Sequence, residues 1–216
     1  MKNFSRIIVL FVSFILAGPL YAAGQFNAEQ FKKDIEETRD IYLKAVDGKK
    51  RDVRKAIRHI QKLDRKYPRH PLVLVYKGGS LSLRGSNIGE RPLNRMRETE
   101  EGLGYIDRAL RMLPRHKGDY LEVVEAQLVA AYVFINLPDT IFHRLKEGSH
   151  LVKKLLKHRR FDELPEGLQA AIYFAAATMA EKHSNEIQQK RYLQLTIETD
   201  PKGRNREKAE ALLKQL

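Results

Sequence analysis

The chain has 216 residues, with 40 Lys and Arg against 27 Asp and Glu for a formal charge of +13, and 43% of its residues are hydrophobic. It contains no Cys, which excludes a disulfide framework, thiolate chemistry and a lipid anchor on Cys. A hydrophobic share near the globular average excludes a disordered polyelectrolyte, and the length suits one domain.

Residues 1–22 read as a cleavable signal peptide. Lys2 and Arg6 give a positive start, Ile7 to Ala17 form an apolar run, Gly18-Pro19 breaks it, and Ala22, Ala23 and Gly24 supply small residues for cleavage. The run is far shorter than the ~20 residues of a bilayer span, so cleavage after Ala22 is expected rather than anchoring. That leaves a single domain over 23–216, with its charge lowered by two to +11. No second stretch approaches a span, so no transmembrane segment is expected after cleavage. Export without Cys or a mature Asn-x-Ser/Thr sequon points to a bacterial periplasm. There, nucleic acid is not the expected partner of the positive charge.

Downstream the apolar periodicity is three to four, and no alternating strand pattern occurs. Asn27 is placed to cap a first helix carrying Phe31, Ile35, Tyr42 and Val46. A second helix is expected from about Arg51 to Tyr67, a third after Pro71 to about Arg84, and a fourth from Pro92 to Leu113. A fifth starts at Asp119 and ends at Leu137-Pro138, and is apolar enough all round to be central. A sixth is expected over roughly 140–158, and a seventh from Pro165 to about His183. An eighth, capped by Ser184, reaches Thr199, and a short last helix ends at Leu216. The fold class is therefore all-α, with about nine helices joined by short loops and paired antiparallel.

The prolines expose a recurrence. Ala56, Ile60, Leu63 and Pro68 stand at offsets 0, 4, 7 and 12, and so do Gly102, Ile106, Ala109 and Pro114. A third set, Gln189, Leu193, Thr196 and Pro201, keeps the spacing but not the small residues. Small residues let helices approach closely, and proline ends the second helix of a pair. This pattern resembles the second half of a tetratricopeptide (TPR) repeat. Helices five and six do not fit the frame. The resemblance implies stacked helix pairs with a concave inner face, and a non-enzymatic adaptor that binds peptides or other subunits. On that face, Tyr76, Arg84, Asn87 and Tyr132 are the candidate binding residues.

Between Lys44 and Arg69 eleven basic residues face three acidic ones, Asp47, Asp52 and Asp64. Arg51, Arg54, Lys55, Arg58, Lys62 and Arg65 recur at helical spacing as one basic patch opposite the apolar face. Such a ridge suits anionic lipid or a polyanionic polymer, and it equally suits the solvated face of a packed helix.

No nucleotide loop, nucleophile elbow or zinc-protease helix occurs, so no catalytic residue, cofactor or metal ligand is assigned. His143, Glu147 and His150 share one side of the expected sixth helix, but two histidines seven residues apart are too distant to chelate one ion. Pro68-Arg69-His70 and Pro114-Arg115-His116 repeat one tripeptide and read as an echo of the repeat. The expected function is an exported adaptor or assembly factor binding an envelope protein. The alternative is a module for anionic headgroups or polymer that binds through the basic helix.

Overall fold

A computed structural model describes residues 26–48, 50–86 and 91–216. The expected signal peptide, Lys49 and Asn87 lie outside the described residues. Among those residues the chain is all-α, without a strand. The described residues form ten α-helices: α1 Ala28–Asp47, α2 Lys50–Lys66, α3 Pro71–Gly85, α4 Pro92–Met112, α5 Tyr120–Asn136, α6 Asp139–Phe142, α7 Leu145–Leu156, α8 Glu166–Lys182, α9 Glu186–Thr199 and α10 Arg206–Leu213.

The helix starts follow local chemistry. The Asn27 side chain accepts from the Gln30 amide at 3.0 Å and opens α1. Asp119 does the same for α5 through the Leu121 amide, and Pro71 and Pro92 occupy the first turns of α3 and α4, where a missing N–H costs nothing. The cap of α9 is Asn185 rather than Ser184; Ser184 takes a left-handed turn at φ 54°, while the Asn185 side chain accepts from Gln188.

The expected sixth helix is two. His143 adopts φ 52° and ends the short α6, so that α7 starts afresh at Leu145 and packs on α5. Gly148 makes that crossing close, because a Cβ there would press on Phe134 and Ile135. Gly148, Val152 and Leu155 are all buried and stand at the same offsets 0, 4 and 7 as the other sets, with Arg160 where a proline would fall. The frame therefore extends through α7, contrary to expectation. Its missing proline and the extra residues around α6 hide it.

Helices pack as successive pairs: α1 with α2, α3 with α4, α5 with α7 and α8 with α9, while α10 rests on α9. The first helices of neighbouring pairs also touch, α1 on α3, α3 on α5 and α5 on α8. The arrangement is compatible with a helical repeat. Its core holds Ile60, Leu72, Tyr76, Ile106, Phe134, Leu155, Ile172 and Leu193, each nearly inaccessible. Each large apolar side chain so enclosed contributes roughly 1.5–3 kcal/mol. Among the described residues no helix is long and apolar enough to cross a membrane.

Candidate functional site

The second helices of the first two pairs end alike. After α2 the chain turns through Tyr67-Pro68-Arg69, with Arg69 held at φ 64°, and His70 leads into α3. After α4 a 3₁₀ turn over Leu113–Arg115 delivers His116. Stacking the two pairs sets these corners side by side. The His70 and His116 rings lie 4.8 Å apart, nearly perpendicular. Between them, from the first turn of α5, comes Glu122. Its Oε2 is 2.9 Å from His116 Nε2 and 3.6 Å from His70 Nε2.

The repeated tripeptide is therefore more than an echo, because the repeat brings both copies to one place. The signal in the sequence was the duplication itself; Glu122 carried none.

Aromatic side chains fix the His70 ring. Phe31 lies 4.2 Å from it, and Phe26 stacks on it at 6.1 Å with an interplanar angle of 6°. Burial, and then the neighbouring His116, push the His70 imidazole down to about 4, so it is neutral near pH 7. Its Nδ1 is buried without a hydrogen-bond partner among the described residues.

Beside the cluster opens a pocket of about 730 Å³. Phe26, Tyr67 and Met112 give it an apolar floor, and Lys66, Arg69, Arg111, Arg115 and Lys117 line it with positive charge. Lys66 is held by Asp34 at 2.6 Å. The other four are exposed and make no ion pair among the described residues.

The same charge continues along α2. Arg51, Arg54, Lys55, Arg58, Lys62 and Arg65 are all exposed, opposite the buried Val53, Ala56, Ile57, Ile60 and Leu63. Arg51 stands 3.9 Å from Asp52, and the remaining five form no ion pair among the described residues.

Of the candidate inner-face residues, Tyr76, Tyr132 and Arg84 are each engaged by other parts of the fold. Tyr76 is buried, and its hydroxyl donates to Glu125, which also accepts from Arg39 Nε and Nη2 at 2.8 and 2.7 Å. It cannot meet a partner, because the contact of α3 with α5 encloses it. Tyr132 is half-buried and stacks on Phe174 at 6.4 Å. Arg84 stands 2.8 Å from Glu98. The His143, Glu147, His150 alignment does not exist either, since the break at His143 puts that residue outside α7 and Glu147 pairs with Arg144 at 2.7 Å.

The chain matches no family model, no curated protein and no solved structure.

Proposed function

We propose that the protein is an exported, TPR-like binding module of the bacterial cell envelope that engages anionic groups of lipid headgroups or of an envelope polymer. The observation that carries this reading is the unpaired positive charge running along α2 and into the pocket at its end. A merely solvated helix face is commonly laced with carboxylates, as α9 and α10 are here, and repulsion among unpaired cations is a cost that an anionic partner relieves. Several cations along one ridge recognise a distributed charge, and the aromatic floor of the pocket suits a ligand with an apolar portion.

The test is sedimentation of the 23–216 chain with phosphatidylglycerol vesicles and with phosphatidylcholine vesicles across a salt series. Binding to the anionic vesicles alone, falling steeply with salt, is expected, and Arg54→Glu, Arg58→Glu and Lys62→Glu together should abolish it. Equal binding to neutral vesicles, or binding unchanged by the triple reversal, would overturn the reading.

The adaptor reading is second. It is favoured by Leu93 and Met96, both exposed one turn apart on α4. Its mark would be a protein partner retained by the charge-reversed chain at high salt.

A further inference from the structure

We propose that His70, His116 and Glu122 form a binding site for a divalent transition metal, of which zinc is the natural probe. The three metal ligands are none of the cations on which the anion-binding reading rests, although both sites border the same pocket.

The donor set is two imidazoles and one carboxylate. Zinc takes this combination with nitrogen and oxygen at about 2.0–2.2 Å, and tetrahedral ligands then stand roughly 3.4 Å apart. The two separations from Glu122 Oε2, 2.9 and 3.6 Å, bracket that spacing. The three ligand atoms all lie within 4.8 Å of one another, so small rotations of the rings complete the closure. All three residues are half-buried, which limits competition from bulk water without sealing the site.

Among the described residues, His70 makes no hydrogen bond that a metal would have to displace. Its Nε2, at 3.6 Å from Glu122, is too far for a hydrogen bond, and its Nδ1 has no partner among the described residues. Phe26 and Phe31 hold the ring against rotation away from Glu122, a positioning that metal sites usually obtain from hydrogen bonds.

Three protein ligands leave a fourth position open. Arg69, Arg111, Arg115 and Lys117 line the adjoining pocket, so a free cation meets repulsion there and an anion in the fourth position meets attraction. The site is therefore suited to an ion that carries an anionic ligand.

The experiment uses the untagged 23–216 chain, stripped with a chelator and titrated with zinc against a competing dye. One zinc per chain is expected at micromolar zinc. His116→Gln and His70→Phe should each weaken binding at least tenfold, and His150→Ala, an exposed histidine elsewhere, should leave it unchanged. His70→Phe keeps an aromatic ring in the stack, so folding is preserved. Cobalt added to the unmutated chain should give the intense visible bands of a four- or five-coordinate ion. Absence of saturable binding, affinity unmoved by both ligand substitutions, or the pale spectrum of six-coordinate cobalt would each overturn the proposal.

Discussion

Gly78 on α3 and Gly102 on α4 meet backbone to backbone, so that a Cβ built on either would press into the carbonyl oxygen of the other. These two helices have the most extensive contact among the described residues. Gly102→Ala gains roughly 1 kcal/mol of helix propensity but must push the helices apart, which costs about 1–3 kcal/mol. Net destabilisation by urea melting is expected. Gly104→Ala, two residues on and with nothing near the added Cβ, should stabilise the protein by roughly 0.5–1 kcal/mol.

Glu125 is the hub joining α1, α3 and α5. It accepts from Arg39 and from the enclosed Tyr76 hydroxyl, which burial, followed by the Glu125 charge, makes harder to ionise. Glu125→Leu strands both donors and should cost about 2 kcal/mol in thermal or urea unfolding. Arg39→Leu alone should cost at least as much, because it leaves the Glu125 carboxylate, only 11% exposed, with the Tyr76 hydroxyl as its remaining donor. In the double variant the two losses should sum to more than is measured, and simple additivity would show that the pair is not coupled.

Asp34 ties α1 to the end of α2. Burial pushes its carboxyl up, but hydrogen bonds from Lys66, Tyr67 and Gln30 outweigh that and hold it below the ordinary value of 3.8. A depressed carboxyl stabilises the fold at pH values above its unfolded pKa, and that contribution is lost as pH falls through the folded value. The melting temperature of the unmutated chain should therefore exceed that of Asp34→Asn at pH 7. The gap should close below about pH 3.8. A gap independent of pH would assign the effect to packing.

Arg204 and Lys208, at the start of α10, both bond Asp47 at the end of α1, and Arg204 also donates to the Leu43 carbonyl. Asp47→Asn should raise amide hydrogen exchange across α10 and in the last turn of α1 while leaving α3 and α4 unchanged. Exchange unaltered in α10 would mean that its packing on α9 suffices.

The helical class and the first two repeat sets were legible because small residues, apolar spacing and terminal prolines act locally and leave their mark in one stretch of chain. The set on α7 was not, since Arg160 stands in place of the proline and the left-handed His143 resets the register upstream. Inner-face residues misled for another reason. Tyr76 has the polar tip of a surface residue, and only the distant Glu125 and Arg39 explain why it is enclosed. The meeting of His70 with His116 depends on how two pairs stack, information that resides in the helix crossings rather than in either tripeptide.

The bonds from Asp47 to Arg204 and Lys208 link positions 157 and 161 residues apart. Linear repeat arrays hold themselves together neighbour by neighbour and tolerate loss of an end. This chain instead fastens α1 to α10. During synthesis, which proceeds from the N-terminus, Asp47 waits for these two cations until residue 208 has emerged. Removal of α10 would therefore be felt at the end of α1, so the two helices are held to a common fate.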